Sequence, residues 1–198
     1  MAYTEFKTLH DIENRLGVKH HRERLFQTVT EVKVISDWLK TTLQIAEELP
    51  IRSEKAKSEM IVMPMLVELR NNNKDFFTIH SGDSLNIDKV LKGECDFIIS
   101  RDIGSFEINY PILQVVEAKK NDTESSIPQC AAQMIGAKTF NEQKNVDYRF
   151  IYGCVTTGDE WVFLKLTENL LTIDTKKYYL GNINEVLGVF QGIIETYK

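Results

Sequence analysis

The sequence lacks the features of several protein classes. It has only three cysteines, Cys95, Cys130 and Cys154, an odd and widely spaced set that does not suggest a disulfide framework. No apolar run approaches the about 20 residues that a membrane-spanning helix needs. The N-terminal segment also lacks the apolar core of a signal peptide. We therefore expect reduced thiols, no membrane partner and a cytoplasmic location.

An excess of basic residues is also missing. The 198 residues include 29 acidic and 24 basic side chains, giving a formal net charge of −5. This balance argues against a protein that coats nucleic acid nonspecifically. It does not exclude an enzyme that acts on nucleic acid, because a metal or a local basic patch can offset the average charge. The length predicts one compact domain, with room for a helical extension.

The N-terminal quarter has a helical pattern. Apolar residues recur at helical intervals from His20 to Leu49, and Pro50 ends the run, which predicts one long amphipathic helix or two shorter ones. We expect residues 1–50 to form an N-terminal helical extension packed on the core, and residues 51–198 to form the main domain. Such a helix either covers a sheet or pairs with a second subunit, so a homodimer through these helices is one hypothesis.

A second helix is predicted from Ser53 to Arg70, with a kink or restart at Pro64. In a helical projection, Glu59 lies at the margin of the apolar stripe and Glu68 on its far side. We therefore expect Glu59 to face the body of the protein and Glu68 to be solvated.

The rest of the chain alternates strand and helix patterns. Strands are predicted at 75–80, 93–100, 112–119, 148–156, 160–166 and 170–179, with a turn at 81–83 and a hairpin turn at 157–159. Helices are predicted from Pro128, with small residues on the side that faces the sheet, and after Asn182. This order indicates the α/β class, with a mixed central sheet flanked by helices.

The predicted strand at 112–119 ends in an unusual way. Its apolar run finishes with Glu117 and Lys119, which point to the same side of a strand. The chain contains five acid-x-lysine pairs, so the motif alone says little. Asp174 and Lys176 also end a strand, but no helix with inward polar residues follows them. The pair at 117 and 119 is followed by such a helix.

Asp96 strengthens this site, because it is an acid embedded in an apolar strand and must be paired, hydrogen-bonded or metal-bound. Two neighbouring carboxylates repel each other, and a divalent cation removes that cost. Oxygen ligands favour Mg²⁺ or Mn²⁺, and a nearby lysine can orient or help deprotonate a water. The alternative is a surface ion pair between Glu117 and Lys119, with Asp96 capping a turn.

The order of these features resembles the PD-(D/E)XK nuclease superfamily, whose fold is restriction-endonuclease-like. The shared order is a helix with an acid, a strand with Asp, a strand ending in Glu-x-Lys, and a helix bearing glutamine, here Gln129 and Gln133. The resemblance covers about Ser58 to Trp161. One departure is Cys95, which stands where proline often precedes the Asp.

The resemblance implies a role for each matching residue. Glu59 would help hold the metal or its water, Asp96 and Glu117 would be metal ligands, and Lys119 would be the catalytic lysine. Gln133 would be the glutamine of the superfamily's helix, rather than Gln129.

The resemblance also implies an activity, that of an endo- or exonuclease that uses Mg²⁺ or Mn²⁺ and hydrolyses DNA phosphodiester bonds through a metal-activated water. Two other hypotheses stay open. One is a noncatalytic module of the same fold that binds nucleic acid or protein. The other is a small-molecule or regulatory protein in which Asp96, Glu117 and Lys119 form a structural ion network.

Overall fold

The fold is organised around a mixed sheet of eight strands. The computed structural model describes residues 2–74, 76–101, 104, 106–146 and 148–198. The strands are β1 (Lys19–Glu23), β2 (Thr78–Ser84), β3 (Glu94–Ser100), β4 (Ile112–Ala118), β5 (Phe150–Thr156), β6 (Glu160–Thr167), β7 (Leu170–Asp174) and β8 (Tyr178–Tyr179). Their order is β1-β7-β6-β5-β4-β3-β2, and β8 pairs separately with β6.

Helices cover both faces of this sheet. They are α1 (Leu9–Leu16), α2 (Asp37–Glu48), α3 (Glu54–Lys57), α4 (Met63–Asn72), α5 (Ile127–Gln143) and α6 (Ile183–Glu195), with a π-helical turn at Ser58–Val62 between α3 and α4. The predicted α/β class and mixed, helix-flanked sheet are confirmed. Among the described residues, no helix is long and apolar enough to cross a membrane.

The strand directions follow from the connections. Strands β2, β3 and β4 are joined in sequence and run antiparallel. Helix α5 then crosses over, so that β5 lies parallel to β4. Strands β5 and β6 form the predicted hairpin, whose turn contains Gly158 at φ 84°. Strand β4 is therefore central, and all seven of its residues are buried.

Two apolar cores lie on opposite sides of the sheet. One packs α2, α4 and α6 against one face, and the other packs α1 and α5 against the other face. The small residues predicted on α5, including Ala132, Gly136 and Ala137, are buried in the second core or beside it. Their size lets the helix lie close to β4 and β5.

The predicted helix over residues 53–70 is confirmed as a helical stretch from Glu54 to Asn72. Pro64 lies at the start of α4, directly after the π-helical turn. Proline has no N–H to donate to the carbonyl four residues earlier, so the helix changes its hydrogen bonding there rather than ending.

The expectation for Glu68 is wrong, because this carboxylate is buried rather than solvated, with 2% of its surface exposed. It accepts hydrogen bonds from the backbone N–H of Ser36 at 2.8 Å and from the Ser36 hydroxyl at 2.6 Å. The Ser36 hydroxyl in turn accepts from the N–H of Leu39 and caps α2. Glu68 therefore joins the start of α2 to α4.

The N-terminal helix prediction is also wrong in part. Residues Lys19–Glu23 form an edge strand that pairs in parallel with β7, and within the predicted run from His20 to Leu49 the helical part is Asp37–Glu48. Backbone pairing with a distant strand outweighs the helical spacing of the side chains. Because β1 belongs to the sheet, the predicted boundary at residue 50 does not separate a helical extension from it. The homodimer through these helices stays a prediction.

Two of the predicted strands differ most from the observed ones. Strand β2 starts at Thr78 and continues through the predicted turn, where Gly82 adopts φ 70° and pairing with β3 resumes at Asp83. Asp75, where this strand was predicted to begin, lies outside the described residues. The strand predicted at 170–179 is divided into β7 and β8.

Candidate functional site

The candidate site lies where β3 begins and β4 ends. The antiparallel ladder between these strands ends at the pair Phe97 and Val116. Beyond it, the backbone N–H of Ala118 donates to Oδ2 of Asp96 at 2.7 Å. The Asp96 side chain thus replaces a strand partner, and the order of the strands brings Asp96 beside Glu117.

Glu117 is buried against α5, with 1% of its surface exposed. Its Oε1 accepts hydrogen bonds from Nε2 of Gln129 and, at 2.7 Å, from Nζ of Lys119. Its Oε2 accepts from Nε2 of Gln133 at 2.6 Å. Three donors therefore fix the orientation of this carboxylate.

Gln133 and Gln129 lie one turn apart on α5 and face Glu117 together. Sequence reasoning chose Gln133 over Gln129, and the structure brings both to the carboxylate. The Oε1 atom of Gln133 is buried and has no hydrogen-bond partner among the described residues.

The electrostatics of the site follow from burial and from the closeness of two acids. Burial, and then the charge of Asp96, raise the pKa of Glu117 to about 7. Burial also raises the pKa of Asp96, against the lowering effect of the Ala118 N–H and Lys119. For Lys119, burial favours the neutral amine, but the Glu117 carboxylate outweighs this effect and the pKa is raised. Lys119 therefore keeps its proton at neutral pH.

A further acid, Glu54, contacts this group. Its Oε1 lies 3.8 Å from Nζ of Lys119, and its charge helps to raise the pKa of Asp96. Sequence reasoning missed Glu54. The available signal was its position directly after the helix N-cap Ser53, where the first turn of the helix reaches the sheet.

Glu59, the acid predicted for the helix, has a side chain that is 61% exposed and lies 3.8 Å from Nζ of Lys55. It lines a cleft of about 420 Å³ together with Asp96. The cleft is formed by Glu54, Lys55, Ser58, Glu59, Ser81, Gly82, Glu94 and Asp96. The π-helical turn at 58–62 explains the difference between Glu54 and Glu59, because it changes which side chains face the sheet.

The carboxylates of the site are the groups that could bind a metal ion. Among the described residues, no three or more His, Cys, Asp or Glu side chains are grouped to hold one. Asp96 and Glu117 give two neighbouring carboxylates, and Mg²⁺ commonly binds through one or two carboxylates while keeping several waters. The single ammonium of Lys119 does not neutralise Asp96, Glu117 and Glu54. Two carboxylates, those of Asp96 and Glu117, therefore match the number of protein ligands that Mg²⁺ commonly uses. Glu59 as a third ligand stays a prediction.

The other acid-x-lysine pair that ends a strand, Asp174 and Lys176, makes hydrogen bonds and an ion pair with nearby residues. Asp174 is buried and accepts hydrogen bonds from the hydroxyl of Tyr178 at 3.1 Å and the N–H of Lys176 at 2.9 Å. The Lys176 side chain pairs with Glu185 instead. This pair therefore stabilises the turn after β7.

No protein-family model matches this chain, and no curated protein matches it either.

Proposed function

We propose that the protein is a nuclease of the PD-(D/E)XK type that hydrolyses phosphodiester bonds of DNA with Mg²⁺ or Mn²⁺. The observation that carries this proposal is the convergence of Asp96, Glu117 and Lys119 at the ends of two adjacent central strands. A buried acid pair with a protonated lysine is costly to keep for packing alone, and such groups concentrate at functional sites.

The topology supports the same proposal. Three antiparallel strands, a crossover helix and a fourth strand parallel to the third carry the Asp, the Glu-x-Lys and the glutamines in the expected order. We therefore also propose that the fold is restriction-endonuclease-like and that DNA is the partner.

The residues of the chain divide the work by their chemistry. Asp96 and Glu117 would hold the ion, which when bound polarises a phosphate and lowers the pKa of a coordinated water. Gln129 and Gln133 fix the Glu117 carboxylate from α5. Lys119 is protonated, so its Nζ would donate a hydrogen bond to an oxygen of the phosphate or of the attacking water.

Cleavage of DNA by the purified chain tests the proposal. Supercoiled plasmid, linear duplex, single-stranded DNA and RNA are incubated with Mg²⁺, Mn²⁺ or EDTA. We expect cleavage of DNA that needs the metal. Asp96→Asn keeps an oxygen for the Ala118 N–H, and both it and Lys119→Ala should lower the rate at least about 100-fold while the thermal melting curves stay cooperative. Absence of cleavage on all four substrates would reject the enzyme.

A noncatalytic module of the same fold is the second candidate. Its support is that both oxygens of Glu117 already accept hydrogen bonds from Lys119, Gln129 and Gln133, so this carboxylate is satisfied by side chains of the protein. This candidate predicts binding of nucleic acid or protein that is unaffected by EDTA, together with no cleavage.

A further inference from the structure

Strand β1 forms one edge of the eight-stranded sheet. It is the first strand in the sheet order, and in the described part of the chain it pairs with β7 alone. Each of its five residues is exposed or partly exposed, so both faces of the strand reach solvent. An edge strand of this kind presents backbone donors and acceptors on its outer side, where a further strand can pair with them.

The pairing with β7 shows which backbone groups of β1 face outward. The N–H of Lys19 donates to the carbonyl that precedes β7 at 2.9 Å, and the carbonyl of Glu23 accepts from the N–H that follows β7 at 3.1 Å. In a parallel ladder every second residue bonds to the same neighbour, so Lys19, His21 and Glu23 face β7. His20 and Arg22 consequently present their N–H and carbonyl groups on the outer side.

These outward groups restrict how a second copy of β1 can pair with the first. In an antiparallel pair, two opposite residues that exchange hydrogen bonds must both face outward. The register centred on His21 places His20 opposite Arg22 of the second copy twice, so both outward residues of each strand are paired. A register centred on Arg22 places two guanidinium groups opposite each other, and one centred on His20 pairs a single outward residue of β1 within the strand.

The register centred on His21 also matches opposite charges. It places Lys19 of each copy opposite Glu23 of the other copy, at non-hydrogen-bonded positions, where opposite side chains are closest. Lys19 is exposed, and Glu23 contacts His21 at 3.2 Å in an exposed pair of the kind that contributes little. On the other face of the strand, Arg22 lies 3.6 Å from Glu124, which offsets its charge. The strand is therefore complementary to itself in this register.

We propose that two copies of the chain form a homodimer through antiparallel pairing of β1, in the register centred on His21. The contact is closed, because a twofold axis relates the two strands and each outer edge is used by the other. Charged side chains on an edge strand usually prevent pairing with foreign strands, and here the same charges are matched between the two copies. The inference does not depend on the proposed function, and its surface is a strand rather than an N-terminal helix.

Sedimentation velocity of the full chain over a series of protein concentrations tests this pairing. We expect a dimer fraction that grows with concentration. Lys19→Glu places two acids opposite each other at both ends of the pair, and Glu23→Lys places two lysines there, so each variant should dimerise at least about tenfold more weakly. An equimolar mixture of the two variants should recover the affinity of the wild type, because one copy then carries acids at both positions and the other carries lysines.

Two variants on α2 serve as matched controls for charge. Lys40 and Glu48 are exposed, and Lys40→Glu and Glu48→Lys change the net charge by the same amounts as the two variants of β1. Each should leave dimerisation of the chain unchanged. These controls also test the helix itself, because a dimer that is held together by α2 would respond to them.

Proline variants test the backbone pairing without a change of a carboxylate or an ammonium. His20→Pro removes an N–H that faces outward, and proline is tolerated on the solvent side of an edge strand, so this variant should weaken the dimer at least about tenfold and keep a cooperative melting curve. His21→Pro removes an N–H that faces β7. It should therefore lower the melting temperature more than His20→Pro does.

Three results would overturn the inference. A wild type that stays monomeric at every concentration forms no such dimer. A dimer that persists in Lys19→Glu and Glu23→Lys, or that the variants on α2 weaken equally, is not held together by β1. If the mixture of Lys19→Glu and Glu23→Lys associates no better than each variant alone, the register centred on His21 is wrong.

Discussion

Glu117 shows how a single buried acid couples the site to the stability of the fold. Burial and the neighbouring Asp96 raise its pKa from 4.5 to about 7, although Lys119 and Gln133 favour the charged form. The folded protein therefore holds a proton at mildly acidic pH that the unfolded chain has already released.

This gives a pH dependence with a definite sign. Between about pH 4.5 and pH 7 the folded state binds more protons than the unfolded state, so stability falls as pH rises through this window. The loss is on the order of 3 kcal/mol, at about 1.4 kcal/mol per pKa unit. Urea unfolding at several pH values measures it, and Glu117→Gln should flatten the dependence. A wild type whose stability rises over the same window, or a variant with the same slope, would contradict the pKa assignment.

Glu68 gives a second prediction at the scale of one residue. Glu68→Ala removes the acceptor for both the N–H and the hydroxyl of Ser36, so it should destabilise the protein by about 2–3 kcal/mol. Glu59→Ala is the matched control, because Glu59 is exposed on the same helical stretch and should change stability by no more than about 0.5 kcal/mol. Equal effects of the two variants in urea unfolding would contradict the buried role of Glu68.

The sequence was sufficient for some of the site's residues and not for others. Glu117 and Lys119 could be predicted to share a side because strand alternation is local. Glu54 could not be preferred to Glu59, because a uniform helical projection does not include a π-helical turn. The burial of Glu68 depends on Ser36, 32 residues away, and helical periodicity contains no information about such a contact.

At the scale of elements, α6 and the segment that precedes α2 fit closely. A Cβ added to Gly188 would lie 2.5 Å from the carbonyl oxygen of Thr30, whereas one added to Gly192 would contact nothing within 4 Å. The segment around Thr30 therefore lies against the helix backbone itself. This close packing joins the N-terminal part of the chain to the C-terminal helix.

The two glycines form a matched pair for mutation. Gly188→Ala should destabilise the protein by about 1–3 kcal/mol, because a backbone carbonyl must move. Gly192→Ala should stabilise it by up to about 1 kcal/mol, since alanine favours helix and the site is open. Thermal unfolding of both variants measures the difference. Equal shifts in melting temperature would show that the segment does not pack on α6.

The same segment explains the main error in predicting elements. Leu25, Val29 and Val32 are spaced as on a helix, yet they lie in a segment without regular secondary structure. Their side chains are partly buried against the first core. Strand β1 depends on β7, whose paired residues lie 151 positions later in the chain, as in Lys19 and Leu170. By contrast, the hairpin of β5 and β6 has its turn and its pattern within one short stretch, and it was predicted correctly.

At the scale of the whole molecule, the net charge of −5 and the acidic cleft repel DNA. A bound cation would have to offset this repulsion for DNA to enter the cleft. The sheet places Asp96 and Glu117 next to each other at one end of two interior strands, where β3 begins and β4 ends. The proposed nuclease activity therefore requires that these two carboxylates bind a divalent ion together.

Calorimetric titration of Mg²⁺ into the wild type and into Asp96→Asn at pH 8 is the most direct test. This pH lies above the Glu117 pKa of about 7, and the variant keeps an oxygen for the Ala118 N–H while it removes the carboxylate of Asp96. We expect a saturable binding isotherm for the wild type and at least about tenfold weaker binding for Asp96→Asn. No binding to the wild type, or equal binding to both proteins, would contradict it.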